Sequence, residues 1–290
     1  MAKEKKLRKQ HKKLDLTLSY ILLTVLSIFW MLPFIGLILQ SFRSYATEYG
    51  GMVAYLLPKQ FSLDNYVFLF QPENKFLRWY GNTLIIASAC AIIQTLVILC
   101  VSYVLSRMRF HGRKALMNII LVLGMFPGFL TMICLYFLLK EMGLTQAGAI
   151  PGLILISCAS SGMGYYVCKG FFDTIPKSLD EAARIDGASR AKIFVQMIIP
   201  LSKPIVIYTA LMGFLGPWCD YVFASYVAFG YSDSYNVAVA MQRWIWTNDY
   251  QGYFTRFCAG GVLIAVPVTL LFMALQKYYV EGVTGGAVKG

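Results

Sequence analysis

Residues 173–204 read DTIPKSLDEAARIDGASRAKIFVQMIIPLSKP. This charged stretch separates two long apolar runs, 149–168 and 204–229. Ser178 stands three residues before Glu181, the spacing of a capping box: the hydroxyl accepts from the Glu181 N–H and the carboxylate accepts from the Ser178 N–H. Pro176 closes the element before it. Asp180 and Glu181 fall in the first turn, where the helix dipole favours negative charge. Gly187 supplies a left-handed stop after about two turns. Ser189 caps a second helix, residues 190–199, which Pro200 ends. The expected unit is helix, glycine turn, helix, lying outside the hydrocarbon of a membrane.

The membrane follows from what flanks this unit. The chain has 290 residues, 58% apolar and 14% charged, with mean hydropathy +0.61. Soluble domains run nearer about 45–50% apolar and about 25% charged. Uncharged or nearly uncharged runs cover 16–39, 83–106, 115–139, 149–168, 204–229 and 257–276. Each is long enough to cross roughly 30 Å of hydrocarbon as a helix. The fold class is therefore all-α integral membrane, with six transmembrane helices. Residues 1–15 form a basic tail, 16–280 one six-helix domain, and 281–290 a C-terminal tail, with no second soluble domain.

Net charge is +12, but its distribution argues against nucleic acid. With the N-terminus inside, segments 1–15, 107–114, 169–203 and 277–290 hold 19 of the 26 Lys and Arg residues. This positive-inside bias puts both termini in the cytoplasm. The first apolar run is too long for the core of a signal peptide and no convincing small-residue cleavage site follows, so it reads as an uncleaved helix. The tail before it suits anionic headgroups.

Within the runs, polar and helix-breaking residues mark candidates. Gly124, Pro127 and Gly128 sit together in the third run, either as a packing kink or as a break lining a solute route. Small residues Ser157, Ser160, Ser161, Gly162 and Gly164 permit close helix packing in the fourth, with pore lining a second reading. Asp220 is the one charge in the six runs. It is either a polar lining group or a structural partner, and it lies either within the helix or near its outer end. Residues 230–256 form a second long outer loop rich in Tyr, Trp, Asn and Asp. That composition suits sugar rings, which stack on aromatics and need paired hydroxyls; an interfacial aromatic belt needs no ligand. His111 reads as a solvated loop residue. The seven cysteines show no metal spacing and no C-x-x-C pair, so they read as small apolar residues and metal ligands are expected to be none. No phosphate-binding G-x-x-x-x-G-K-[ST] motif occurs, nor any hydrolase signature, so catalytic residues are expected to be none and the chain is read as a transport subunit rather than an enzyme.

Glu181-Ala182-Ala183, then Gly187, then Met197-x-Ile199-Pro200 resembles the EAA loop of ABC importer permeases, with Met for Ile and Ile for Leu in the family pattern E-A-A-x3-G-x9-I-x-L-P. The strings SYNVAVAMQRW (234–244) and YYVEGVTGGAVKG (278–290) resemble the smaller permease of maltose-type importers (MalG-like). FSLDNYVFLF (61–70) and WYGNT (79–83) resemble the region before the second helix in sugar-importer permeases. The resemblance implies a type I ABC importer permease fold in the bacterial cytoplasmic membrane. It implies an ATPase-coupling loop carrying Ser178, Glu181, Ala182, Ala183, Asp186, Gly187 and Pro200. It implies a C-terminal tail, with Gly285, Gly286 and Lys289, entering the ATPase interface. It implies a loop meeting an external binding protein or substrate, for which Asn236, Gln242, Trp244, Trp246, Asn248 and Tyr250 are the candidates; Asp220 and Pro127 are pathway candidates. Its partners would be a second, MalF-like permease, two ABC ATPase chains using ATP and Mg, an extracytoplasmic sugar-binding protein, an oligosaccharide such as maltose or maltodextrin, and the lipid. Another carbohydrate, or an ion-coupled carrier using Asp220, is the alternative.

Overall fold

The computed structural model describes residues 2–44, 57–247 and 250–284, with side chains described over 16–44, 57–245 and 253–277. Among these residues the elements are helices, and no strand forms. We number them α1 (Ala2–Ser41), α2 (Asp64–Phe70), α3 (Phe76–Arg107), α4 (Arg113–Gly124), α5 (Gly128–Glu141), α6 (Ala149–Ala159), α7 (Gly162–Asp173), α8 (Lys177–Ile185), α9 (Arg190–Leu201), α10 (Lys203–Cys219), α11 (Val222–Val227), α12 (Val237–Thr247) and α13 (Tyr250–Thr284).

Three helices are long and apolar enough to cross a membrane alone: 16–41 of α1, all of α3, and 253–277 of α13. Three further spans are bent pairs. α4 and α5 meet at 102°, the helix of 146–159 and α7 at 42°, and α9 and α10 at 84°. The 102° bend falls at Gly124–Gly128, so that cluster is a break rather than a gentle kink. The fifth apolar run is not one helix: α10 stops at Cys219, Asp220 takes an extended conformation, and α11 follows.

Two compact units divide the chain. One combines residues 1–69 with 247–263, the other 70–246 with 264–290. In the first, Asn65 is fully buried; its Nδ2 donates to the carbonyls of Ser41 (3.0 Å) and Arg43 (2.8 Å), and its Oδ1 accepts from Thr255 Oγ1 (3.0 Å). The Arg256 guanidinium lies 3.6 Å from the centre of the Phe68 ring, a cation–π contact.

The second unit carries two apolar cores. One joins Trp79, Ile86, Leu153, Phe223, Val227 and Val239. The other joins Ile98, Leu99 and Tyr103 of α3, Cys168 and Phe172 of α7, Ala183 of α8, Ile193 and Ile198 of α9 and Ile205 of α10. That second core is what fixes the polar 173–204 segment to three spans at once. Large apolar side chains elsewhere face outward, as at Leu123, Met125 and Phe129. Lipid tails or a partner helix solvate such faces in a membrane.

Candidate functional site

The 173–204 segment folds as two short helices around a glycine turn, with two departures from the sequence reading. Pro176 takes the N-cap of α8, so Ser178 lies inside the first turn, exposed and making no cap. The expected Ser178–Glu181 capping box is therefore absent; the fixed φ of Pro176 (−58°) starts the helix one residue before Ser178. Pro200 does not end the second helix. A π-helical stretch, Phe194–Ile198, precedes it and the helix continues to Leu201, with Pro200 at the start of the last helical segment. The glycine turn is as expected: Gly187 sits at φ +79°, the Ala188 N–H donates to the Ala183 carbonyl (2.9 Å) and the Gly187 N–H to that of Arg184 (3.0 Å). Those two bonds define a Schellman stop. Ser189 Oγ accepts from the Lys192 N–H (3.3 Å), capping α9.

One face of α8 is anchored and the other is free. Asp180 and Ala183, one turn apart, are buried, whereas Lys177, Ser178, Glu181, Ala182, Arg184 and Ile185 are exposed, Ile185 to 87%. Asp186 is exposed as well. The anchor is an ion pair that the motif did not reveal. Arg107, the last residue of α3, places Nε 3.2 Å from Asp180 Oδ2, off the line of a hydrogen bond, with side chains 2% and 8% exposed. Arg107 Nη2 also donates to the Ile175 carbonyl (2.9 Å), Ser106 Oγ to Asp173 Oδ1 (2.6 Å), and Tyr103 OH to the Arg190 carbonyl (3.2 Å). Beside this anchor opens a cavity of about 420 Å³ whose lining includes Arg109, Arg113, Lys177, Glu181, Arg184 and Arg190. The one sequence signal for Arg107 is its place at the edge of an uncharged run.

At the far end of the second unit lies a cavity of about 440 Å³, mostly apolar, lined in part by Gln94, Thr131, Ser157, Asp220 and Asn236. Asp220 sits in the break after α10, with Oδ1 accepting from the Ala224 N–H at 3.4 Å. Pro127 is exposed at the α4–α5 break and lines no part of this cavity, which reaches only its neighbour Gly128.

The segment after residue 230 differs from the expected loop. Residues 237–247 form α12, because Val237, Val239, Ala240 and Met241 turn into buried positions. Asn236 is 1% exposed and caps that helix, accepting from the Val239 N–H (2.9 Å) while its amide donates to the carbonyl of Asp220 (2.7 Å). Trp244 packs against Phe76 and Trp79, at centroid distances of 6.5 and 5.2 Å. Asn236 thus lines the 440 Å³ cavity from a buried position, and Trp244 and Gln242 are half-buried. The side chains of Trp246, Asn248 and Tyr250 lie outside the described residues, as do Gly285, Gly286 and Lys289. Asp233 closes this end: Lys75 Nζ (2.9 Å) and Arg78 Nη1 (3.2 Å) meet its carboxylate, and the Lys75 hydrogen bond holds it below the usual carboxylate range. Among the described residues no cluster of His, Cys, Asp and Glu is arranged to hold a metal.

Apolar spans broken at mid-course, an intervening cavity and an anchored polar hairpin define a membrane transport subunit. The comparisons agree. Residues 98–285 match the family of binding-protein-dependent transport system inner membrane components. The galactooligosaccharide transport permease GanQ of Bacillus subtilis (strain 168) is 34% identical over 285 residues, 97% of this chain and 98% of its own. The maltodextrin transport permease MdxG of the same organism is 34% identical over 94% and 95%. A solved bacterial ABC transporter that imports the acidic polysaccharide alginate shares the fold, with TM-score 0.76 at 23% identity, covering 90% of this chain and 95% of that one. The chain belongs to the binding-protein-dependent transport system inner membrane component family. It is a permease subunit of an ABC importer, a multi-pass component of the bacterial cytoplasmic membrane, and the importer's ATPase is a separate subunit. That membership sets aside the ion-coupled carrier.

Proposed function

We propose that this chain is one permease half of an ATP-driven importer for oligosaccharides of the maltodextrin or galactooligosaccharide kind. The relatives named above carry those substrates in their names. The cargo arrives from an extracytoplasmic binding protein, and a second, similar permease completes the route. Two ATPase chains, using ATP and Mg, dock against the 173–204 hairpin. Both termini share the cytoplasmic side with that hairpin, as the positive-inside distribution supports. The basic tail 1–15 meets anionic headgroups, as its charge supports, while the domain 16–280 and the tail 281–290 with Gly285, Gly286 and Lys289 take the roles that the family resemblance implies.

The observation that carries this reading is the one-sided anchoring of α8. A helix exposing Glu181, Ala182, Ile185 and Asp186 on a base tied to α3, α7 and α10 presents a surface to a partner and passes its displacement to three spans together. The ATPase's closure on ATP moves that base as a rigid body and switches the cavity between its two openings. Gly187→Asp tests it. Asp is tolerated in the left-handed region better than most side chains and its Cβ meets open space, so the conformational cost is smaller than for other residues and the main change is a negative charge at the docking surface. The expected result is a protein at normal level in the membrane that no longer retains an ABC ATPase in a mild-detergent pull-down and no longer supports uptake. Uptake and ATPase retention at wild-type level would remove the role given to the hairpin.

A further inference from the structure

We propose that Gln94, seated in the π turn of α3, is the latch of a septum that closes the solute route at mid-membrane; this rests on the importer reading. Two cavities meet there. The 440 Å³ cavity already described and a second of about 300 Å³ share four lining residues: Gln94, Ser160, Met212 and Gly213. On each of three spans the shared residues lie between those private to either cavity. On α3, Ile86 belongs to the first and Ile98 to the second, with Gln94 between. On the α6–α7 pair the order is Ser157, Ser160, Met163, and on α10 it is Gly216, Gly213, Thr209. The cavities are therefore stacked along one direction, and the four shared residues form the wall between them.

That wall is built where the helices are irregular. Residues 90–94 of α3 are π-helical, a local widening frequent at functional sites. The α6–α7 span breaks at Ser160–Ser161. Gln94 Nε2 donates to Ser161 Oγ at 3.0 Å, and that hydroxyl reaches the carbonyls of Cys158 (3.1 Å) and Ser157 (3.3 Å). A Cβ on Gly213 would stand 3.1 Å from both the Cys90 carbonyl oxygen and Gln94 Oε1, so α10 lies close against the π turn, and a larger residue there would press on the turn. One side-chain hydrogen bond thus joins two irregular helix segments across the route, and its loss releases both. The freed amide, with one donor pair and one acceptor, matches the hydroxyls of a passing sugar.

The test is sided labelling of the whole importer in sealed membrane vesicles of both orientations, using a membrane-impermeant maleimide. Labelling is read by mass spectrometry at the introduced site, so the native cysteines stay. Thr131→Cys lines the first cavity and Met163→Cys the second. In the otherwise native chain each is expected to react from one face only, and the two from opposite faces. Adding Gln94→Ala, or separately Ser161→Ala, is expected to raise labelling from the shut face about fivefold, the size of losing one net hydrogen bond in a two-state equilibrium. Two-sided labelling in the native latch, or one-sided labelling untouched by whichever latch variant accumulates, would overturn the proposal. The result is independent of which sugar is carried and of ATPase retention, so its failure is separable from failure of the importer reading.

Discussion

Arg107 and Asp180 show how a residue outside a motif can decide what the motif does. Both side chains are nearly fully buried, and among the described residues each is the other's ion-pair partner. Removing one partner leaves an uncompensated buried charge, which costs about 3–5 kcal/mol, whereas removing both leaves no unpaired charge, only a void and the Ile175 carbonyl without its Arg107 donor. Arg107→Ala is therefore expected to lower the thermal unfolding midpoint of the purified permease more than the double variant Arg107→Ala with Asp180→Ala. Equal losses in the single and double variants would show that the pair does not hold the hairpin. Glu181 belongs to the opposite face of the same helix. Its neighbour in sequence is anchored and it is exposed, a division that the letters E-A-A cannot express and that the 3.6-residue period imposes.

At the scale of elements, the hairpin's shape depends on one conformation. Gly187 holds φ +79° with open space around the missing Cβ, so the cost of substitution there is conformational rather than steric. Gly187→Val, β-branched and poorly suited to the left-handed region, is expected to fray the end of α8 at a cost of roughly 1–2 kcal/mol. Limited proteolysis or hydrogen exchange of residues 183–190 would register it; protection unchanged from wild type would mean the turn tolerates the strain. The other irregular elements were partly legible. Gly124, Pro127 and Gly128 announced a kink or a break without deciding which, and Asp220 announced a polar point in an apolar run. The π turn at 90–94 had no signature, because it is a hydrogen-bond shift within a continuous helix whose composition does not change there, Gln94 aside. The loop expected over 230–256 is helical in part because Val237, Val239 and Ala240 find a core to bury against. Aromatic and polar composition masked that apolar face.

For the whole molecule the decisive prediction concerns sidedness. The 173–204 hairpin, the 107–114 turn and both termini are expected on one face of the membrane. A single-cysteine scan with an impermeant reagent at Lys6, Lys114, Ser178 and Lys289, against Lys59 on the other face, checks it. Any of the first four reacting with the opposite face's group would break the positive-inside argument for this chain.

What the sequence determined by itself was the class: six apolar runs, a basic bias on alternate connections, and a charged hairpin with a glycine stop. These are local and one-dimensional, since span length, charge placement and capping chemistry are properties of short segments read along the chain. The tertiary structure decided which residues meet. Arg107 reaches Asp180 across 73 positions of sequence, Gln94 reaches Ser161 across 67, and Asn236 turns inward to cap a helix rather than outward to a partner. Such pairings depend on how helices pack, and packing between apolar helices in lipid is set by the fit of small residues and by single polar contacts.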